Sequence, residues 1–359
     1  MVQKSVIANV LVTAVGGIVG EGIVKSLKFA NMDESSPVKY KIIGVDMNDQ
    51  AAGLYRCDTG KLIPPASSAD YLESISQIVR ENDIHAVYVG SDIELVKLAR
   101  AKPELESNSN AIVISNPLDV IDTARDKWET FQFLEKNNLP RAMSCLPEDK
   151  DKFTERYGFP LVVKPREGYG SLYFYIVHSS DEMQYALDVI RRYGWRPVIQ
   201  EYLNGTNQEF TSGITIDKDG SYVMSSISLQ KFPKSGQTYK AFVDSFDPIR
   251  KSAKEVALRL GVRNAVNIQA KFDGNEAKVF EINPRFSATV PIRAIAGINE
   301  PDIIYRNNVL GEEIHIEKYK KILCLRYWNE IYVEPAAYQQ ISILKQINQN
   351  NNSFSVEYF

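Results

Sequence analysis

The chain has 359 residues, which is too long for one ordinary hydrophobic core, so we expect two or three domains. Its net charge of −3 comes without any block of Lys or Arg, which argues against a nucleic-acid-binding protein. The three cysteines and three histidines are far apart in the sequence, so we expect neither a disulfide framework nor a histidine-rich zinc site.

The apolar N-terminal segment from Val6 to Gly20 could be mistaken for a signal peptide. It contains Asn9 and Thr13, and it continues into Glu21 and Lys25 without a small-x-small cleavage site. No apolar run reaches the roughly 18–20 residues of a membrane span. We therefore expect a cytoplasmic protein with no membrane partner.

Residues 1–117 alternate predicted strands with predicted helices. The strands are expected at 5–14, 41–47, 86–90 and 111–115, and the helices at 21–30, 69–82 and 93 to about 101. Such alternation is typical of an α/β domain with a doubly wound parallel sheet.

Glycines follow the first predicted strand at Gly16, Gly17 and Gly20. A dinucleotide-binding turn needs G-x-G-x-x-G, and a pattern that ends at Gly20 places Val15 where the first glycine belongs. Asp46, near the end of the second strand, keeps a dinucleotide site open as an alternative. The simpler interpretation is a tight strand-to-helix turn whose amides can still face an anionic ligand.

From residue 118 onward the pattern becomes α+β, with mostly antiparallel strands. We expect a second unit at 118–315 with a small lid subdomain at about 150–203, and then a C-terminal extension at 316–359 in which 322–333 is a strand. Helices are predicted at 122–137, 181–192 and 249–260, and strands at 158–163, 172–177, 197–203, 209–216, 222–230, 265–272 and 277–282.

The segment Val279–Thr289, Val-Phe-Glu-Ile-Asn-Pro-Arg-Phe-Ser-Ala-Thr, holds the strongest chemical signal. Glu281 and Asn283 lie two apart on a strand and share a face. Pro284 ends the strand, and Arg285 follows at once. An acid, an amide and a guanidinium at one strand end suit a divalent cation that carries polyphosphate.

Gln269 lies on the preceding predicted strand, joined to the strand of Glu281 by an Asp-Gly turn. The two side chains can therefore stand side by side and offer oxygens to a hard cation such as Mg²⁺. Considered alone, these residues fit a hydrogen-bonded polar pair on two ordinary strands equally well.

Lys164 ends an apolar strand and precedes a glycine loop, Arg166–Ser171, that contains Gly168 and Gly170. The strand places the ammonium at a partly dry site, and the glycines let backbone amides fold over a polyanion. Considered alone, a surface lysine before a flexible hairpin is the simpler interpretation.

An edge that could bind adenine follows at Glu201, Tyr202 and Leu203, just before an Asn-Gly turn. A carboxylate and a carbonyl there can accept from the adenine amino group, an N–H can donate to the ring, and Glu209 could accept from ribose hydroxyls. An ordinary strand and turn is again the simpler interpretation of this segment alone.

In their order and spacing, these segments resemble the ATP-grasp superfamily, and most closely its carbamoyl-phosphate-synthetase-like branch, over roughly residues 1–315. The residues that carry the resemblance are Asp126-Lys127, Val163-Lys164-Pro165, Arg166–Ser171, Gln200–Gly205, Gln269 and Glu281–Ser287.

The resemblance implies a pre-ATP-grasp domain at 1–117 and an ATP-grasp domain at 118–315. Lys127 and Lys164 would contact the ATP phosphates, the Arg166–Ser171 loop would close over them, Glu201–Leu203 would hold adenine and Glu209 the ribose. One further lysine could reach a phosphate: Lys231, Lys234 or Lys240.

The resemblance also implies that Gln269, Glu281 and Asn283 bind one or two Mg²⁺ ions, and that Arg285 stabilises the transferring γ-phosphoryl group. Candidate contacts to the acceptor substrate are Ser287, Thr289, Arg293, Gly16, Gly17 and the Ser91–Glu94 turn.

The function expected from this site is an ATP- and Mg²⁺-dependent ligase that joins a small-molecule carboxylate to an amine through an acyl phosphate. Positioning and charge neutralisation would drive the reaction without a side-chain nucleophile. A homodimer is compatible with it. The alternatives are a kinase or carboxylase-like enzyme that releases a phosphorylated product, a nucleotide-binding module without turnover, and an NAD-dependent dehydrogenase.

Overall fold

The computed structural model describes residues 5–168, 170, 172–203, 208–234, 237–327, 329–348 and 353–356. The helices are α1 Ile18–Met32, α2 Tyr71–Glu81, α3 Asp92–Ser107, α4 Leu118–Arg125, α5 Lys127–Lys136, α6 Lys150–Tyr157, α7 Ser180–Arg192, α8 Asp247–Leu260, α9 Val290–Ala296, α10 Glu300–Asn308 and α11 Pro335–Leu344. Within these residues, no helix combines the length and the apolar character needed to cross a bilayer.

The strands of the first unit are β1 Val6–Val12, β2 Val38–Asp46, β3 Thr59–Leu62, β4 Ala86–Tyr88 and β5 Ile112–Ile114. The later strands are β6 Ser144–Cys145, β7 Leu161–Pro165, β8 Tyr175–Val177, β9 Pro197–Glu201, β10 Glu209–Ile216, β11 Val223–Lys234, β12 Gln237–Val243, β13 Asn264–Phe272, β14 Ala277–Asn283, β15 Ile322–Leu325, β16 Tyr332–Val333, β17 Gln346–Asn348 and β18 Ser353–Phe354.

The first sheet has the order β17-β3-β2-β1-β4-β5, and β1 to β5 run parallel. The C-terminal halves of its central strands β1 and β2 are mostly apolar and buried, because α1 covers one face of the sheet and α2 and α3 cover the other. The predicted doubly wound parallel sheet is confirmed. The short β3 was not predicted, because Thr-Gly-Lys-Leu carries little apolar pattern.

The C-terminal extension joins both large sheets. The predicted strand at 322–333 is shorter than expected: β15 adds to the edge of the antiparallel sheet beside β12, and β16 is a separate short strand. The chain then returns through α11 to the first unit, where β17 pairs antiparallel with β3. Ile341 and Ile347 are buried in the core that α1 shares with the antiparallel sheet.

The second half contains two antiparallel sheets. The larger has the order β14-β13-β10-β11-β12-β15, and α8 covers one of its faces. The smaller has the order β6-β9-β7-β8 and is covered by α7. Residues 150–203, the predicted lid subdomain, contain β7 to β9, while the domain limits themselves stay a prediction.

The single helix predicted at 122–137 is wrong, because Asp126 divides it into α4 and α5. Asp126 is extended, with φ −92° and ψ 115°, and its side chain caps α5 by accepting from the amide of Trp128. The amide of Lys127 donates to the carbonyl of Arg166 at 3.0 Å. The break therefore places Lys127 at the start of α5, against the glycine loop.

Candidate active site

A cavity of about 600 Å³ lies where the small four-stranded sheet, the larger antiparallel sheet and the N-terminal end of α1 meet. Strands β7 and β9 form one wall, and β10, β11, β13 and β14 form the opposite one. The predicted site residues that line it are Lys127, Lys164, Gly168, Gly170, Glu201, Tyr202, Leu203, Glu209, Gln269, Glu281, Asn283, Arg285 and Ser287. Residues from distant parts of the chain are thus brought to one place.

The remaining predicted site residues do not line this cavity. Among the described residues, the lining does not include Thr289, Arg293, Gly16, Gly17 or Arg166, and Ser171 lies outside the described residues. The reasons differ from residue to residue.

The predicted metal ligands are neighbours across two paired strands. Gln269 lies opposite Glu281 in the antiparallel register of β13 and β14, at a bulge that follows Gln269. The amide of Asn283 donates to Glu281 Oε1 at 3.2 Å. Among the described residues no cluster of three or more His, Cys, Asp or Glu could hold a metal, so this set of one carboxylate and two amides suits Mg²⁺ only with phosphate oxygens as further ligands.

Lys164 is 5% exposed, and its ammonium donates to Gln200 Oε1 at 2.8 Å. Gln200 is held in turn by Ser144, to whose hydroxyl its amide donates at 3.0 Å. Burial, with the nearby charge of Lys127 as second cause, lowers the pKa of Lys164 from 10.5 to about 7. An anion bound beside Lys164 would therefore raise this pKa again and restore the positive charge of the ammonium.

Lys127 lies against the glycine loop rather than against an acid. Its ammonium donates to the carbonyls of Arg166 at 3.4 Å and Gly168 at 3.3 Å. These neutral partners leave its charge available to a polyanion in the cavity.

Arg166, predicted as part of the loop that closes over the ATP phosphates, has acidic partners for its side chain. Its guanidinium grips both carboxylate oxygens of Asp126 at 2.6–3.0 Å and reaches Glu129 at 3.3 Å. Arg196 also donates to Asp126, at 3.1 Å. The Arg166 side chain therefore anchors the start of the glycine loop to α5, and the Arg166 carbonyl is the part of this residue that contacts Lys127.

Glu201, Tyr202 and Leu203, which are predicted to bind adenine, line the cavity, and the Glu201 carboxylate already has partners. It accepts from the amide of Met143 at 2.9 Å, with Lys278 at 3.5 Å. The carbonyl of Leu203 accepts from Lys271 at 3.3 Å. The cavity therefore offers mainly the main chain of this segment as a recognition edge, and not the predicted Glu201 side chain.

Lys231 is the one of the three candidate lysines that lines the cavity. It forms an ion pair with Glu209, which lies opposite it in the register of β10 and β11, and donates to Gln269 Oε1 at 2.8 Å. The ammonium of Lys240 instead lies 5.9 Å from the ring of Tyr239, and the Lys234 side chain lies outside the described residues. The hairpin register was the signal that could have singled out Lys231.

Arg285 lines the cavity, but its guanidinium is held by the first unit. It donates to both carboxylate oxygens of Asp92 at 2.8 and 2.5 Å and to the carbonyl of Phe286 at 2.8 Å. Burial alone would raise the pKa of Asp92, but the facing guanidinium outweighs it and holds that pKa below its usual value. Asp92 belongs to the predicted Ser91–Glu94 turn.

The prediction of Arg293 as a substrate contact is corrected, because this side chain is 0% exposed. It donates to Glu300 at 2.9 Å, to Asn267 Oδ1 at 2.6 Å and to Thr211 at 3.3 Å. Arginine can only donate, so it turns the oxygen of Asn267 toward itself and leaves the amide nitrogen for other partners. Asn267 lines the cavity and was missed, although it lies two residues before Gln269 and so shares its face of β13.

The predicted contacts at the glycine turn and at Thr289 are structural as well. The amide of Gly16 donates to Asp46 at 2.8 Å, which uses the carboxylate that a dinucleotide site would need. Gly17 precedes α1, whose next residues Ile18 and Val19 line the cavity instead. Thr289 is buried and shares a hydrogen bond of 2.9 Å with the Ser287 hydroxyl.

The Gly213→Ala variant should be strongly destabilised. An added Cβ would lie 1.9 Å from Glu300 Oε1 and 2.1 Å from Arg293 Nη1, which forces the buried ion pair apart. Breaking such a pair costs about 3–5 kcal/mol. Urea unfolding measures the loss, with Gly168→Ala as the control because its Cβ meets Pro165 only at 3.4 Å. Equal stability of the two variants would contradict the role of the pair.

Binding of a nucleotide polyphosphate should draw a proton onto Lys164. At about pH 8 the folded-state pKa of about 7 leaves this lysine mostly neutral, and phosphate charge raises that pKa again. We expect uptake of up to about one proton at that pH, fading below about pH 6 where the ammonium is already charged. Calorimetry of MgADP binding in buffers of different ionisation enthalpy measures the uptake. Lys164→Arg, which stays charged, should abolish it; an unchanged uptake would refute the assignment.

Family models match most of this chain in two parts. Residues 11–113 match the PylC-like N-terminal domain, and residues 124–289 match an ATP-grasp domain. The carbamoyl phosphate synthase large chain of Pseudomonas syringae pv. tomato is 30% identical over 236 residues, which are 61% of this chain and 21% of that protein. This chain thus matches about a fifth of that relative's length, and the homology is distant.

Solved structures show the same fold at low sequence identity. N5-carboxyaminoimidazole synthetase from Staphylococcus aureus, complexed with ADP, has a TM-score of 0.67 and 16% identity, over 96% of this chain and 86% of that one. L-amino acid ligase from Bacillus licheniformis has a TM-score of 0.62 and 16% identity, over 84% of this chain and 74% of that one. The predicted ATP-grasp architecture is confirmed.

Proposed function

We propose that this chain, an ATP-grasp family member with a PylC-like N-terminal domain, is an ATP- and Mg²⁺-dependent ligase that joins a small-molecule carboxylate to an amine. The observation that carries the proposal is the charge arrangement in the cavity. Lys127 and Lys164, whose partners among the described residues are backbone carbonyls and an amide oxygen, share it with the oxygen donors Gln269, Glu281 and Asn283. Cations and metal ligands in one cavity fit a metal-bound polyphosphate.

The nucleotide would lie between the two sheets. Lys127 and Lys164 would contact its phosphates, and the amides around Gly168 and Gly170 would cover them. The main chain from Glu201 to Leu203 would read the adenine. Glu209 would take the ribose hydroxyls while it keeps its ion pair with Lys231.

One or two Mg²⁺ ions would be held by Glu281, Asn283 and Gln269. Their oxygens are hard donors, and two of them already attract cationic groups: Lys231 donates to Gln269, and Arg285 donates to Asn283 at 3.3 Å. When bound, the metal would neutralise charge on the phosphate oxygens. The fit rests on the chemistry of the donor set.

The reaction would begin with attack of the substrate carboxylate on the γ-phosphoryl group. This forms an acyl phosphate and releases ADP, and the amine then attacks the acyl carbon and expels phosphate. Arg285 would stabilise charge on the transferring group once its guanidinium exchanges Asp92 for a phosphate oxygen. The cavity lining holds groups that would position the substrates and neutralise the phosphate charge, as phosphoryl transfer requires.

The acyl phosphate must be shielded from water. Leu172 and Phe174, just before β8, line the cavity and are 48% and 45% exposed. Closure of this segment over the nucleotide would bury both side chains and exclude solvent. The apolar rim thus supports a reaction with a water-sensitive intermediate.

Glu281→Gln should lower kcat by about 10²-fold or more, since it removes the only carboxylate of the metal set while keeping its shape. The assay is ADP release from MgATP over a panel of amino acids, with hydroxylamine to trap an acyl phosphate. The control is Glu276→Gln, on the turn between the same two strands, which should behave like the wild type.

Two outcomes would count against the ligase. Normal turnover by Glu281→Gln would show that the site is misassigned. Full ADP release with a phosphorylated product and no amine would instead favour the kinase or carboxylase-like alternative.

A further inference from the structure

One end of the cavity is built from uncharged side chains. Among the described lining residues, this end comprises Ile18 and Val19 at the start of α1, Ser287 and Ala288 after β14, and Thr238 on β12. We call these five residues the uncharged end. They come from three distant parts of the chain, so only the fold brings them together.

Helix packing places the start of α1 against the segment that follows β14. A Cβ on Gly22 would lie 3.1 Å from Val290 Cγ2, so α1 and α9 are in direct contact. Ile18 lies one turn before Gly22 on the same face of α1, and Ala288 lies two residues before Val290. Ile18 and Ala288 are therefore held at the same end of the cavity.

Arg326, which follows β15, ties β12 to this end from behind. Its guanidinium donates to the carbonyl of Thr238 at 3.1 Å and to the carbonyl of Ala288. Both acceptors are main-chain groups, so this cation fixes the backbone of the wall. Thr238 and Ala288 are neighbours as a result, although they lie on different elements.

The side chains of the uncharged end suit an apolar ligand group. Ile18 is 46% exposed although it lines a cavity, and Val19 and Ala288 add further apolar surface. The Ser287 hydroxyl already shares a hydrogen bond of 2.9 Å with Thr289. An isoleucine that is half-exposed in a cavity gains stability when an apolar group of a ligand covers it.

The charged side chains of the lining lie on other elements. The cations among the described lining residues are Lys127, Lys164, Lys231, Lys271 and Arg285, and each has a partner in the structure. Lys271, for example, donates to the carbonyl of Leu203 at 3.3 Å, beside the segment proposed to hold adenine. The lining carboxylates belong to β9, β10 and β14. A charged group of a ligand would thus meet no lining counter-charge at the uncharged end.

We propose that the uncharged end receives the carbon skeleton of the acid whose carboxylate is activated. The carboxylate must reach the γ-phosphoryl group, which is proposed to lie beside Arg285 and Glu281. Ser287 and Ala288 follow Arg285 directly in the lining, so the rest of the acid extends toward Ile18.

The substrate class is then a small carboxylic acid, such as an α-amino acid, with an aliphatic side chain. Ile18 becomes a specificity-determining residue that contacts this side chain. The inference rests on the proposed function, because that function places the nucleotide and the activated carboxylate in the rest of the cavity.

The test compares amino acids of nearly equal shape. Leucine, asparagine and aspartate differ in having an apolar, a polar and an anionic end to their side chains. Binding is measured by calorimetry with Mg²⁺ and a non-hydrolysable ATP analogue, so that no turnover is needed. The wild type should bind leucine about tenfold or more tightly than the other two.

Ile18→Asn should weaken leucine binding about tenfold and leave the affinity for the ATP analogue unchanged. The matched control is Ile295→Asn, because Ile295 is 50% exposed on α9 and does not line the cavity. It should bind leucine like the wild type. In a second variant, Ala288→Leu, the added side chain occupies the space of the ligand, so leucine should lose more affinity than glycine does.

Three results for the wild type would overturn the proposal: equal binding of leucine and asparagine, tighter binding of aspartate, or binding of none of the three. A leucine preference that survives Ile18→Asn would also overturn it, and so would an equal loss of leucine and glycine in Ala288→Leu. The ligase is tested separately through ADP release from MgATP. A leucine preference without ADP release would overturn the ligase and still support the apolar subsite, and ADP release without that preference would do the reverse.

Discussion

The buried ion pair between Arg293 and Glu300 is the interaction on which the surrounding architecture depends. It joins α9 to α10 beneath the larger antiparallel sheet. Strand β10 can pass over the ion pair only because Gly213 has no side chain. Removing two charges from water is costly, and further hydrogen bonds must compensate. Asn267 and Thr211 supply them, so the pair that stabilises the interior also orients two side chains of the cavity.

A second organising feature is the excess of positive charge that faces the cavity. Lys164 is buried far enough to lose part of its charge, and the ammonium of Lys127 donates to the carbonyls of Arg166 and Gly168. Arg285 is balanced by Asp92, which comes from the parallel-sheet unit. A polyanion bound in the cavity would therefore stabilise the fold, and the Arg285–Asp92 ion pair links the cavity to the first unit.

The sequence predicts those features of the fold and the site that depend on local sequence pattern. The parallel sheet, the β13–β14 hairpin and the side-by-side placement of Gln269 and Glu281 all follow from periodicity and short spacings. The side chains of Arg166, Glu201 and Arg293 all have partners that the sequence did not predict. Arg166 is bound by Asp126, Glu201 accepts from the amide of Met143, and Arg293 donates to Asn267, and none of these pairings can be seen from the local sequence.

The sequence names Lys231 only as one of three candidate lysines and does not predict Arg326, because the positions of both depend on pairing between strands. Lys231 enters the cavity through the register of β10 and β11, which shifts at a bulge beside Ile216. Arg326 reaches the cavity wall only because β15 adds to β12 from the far end of the chain. No periodicity within a single segment contains that information.

The pairing of β17 with β3 gives the C-terminus a protective role. Without residues 345–359, β3 would become the edge of the parallel sheet and present unpaired backbone groups to solvent. An uncovered strand edge is a template for association with other chains. Strand β17 therefore protects this sheet edge from pairing with other chains. A protein that lacks β17 is expected to become less soluble while it keeps its cavity.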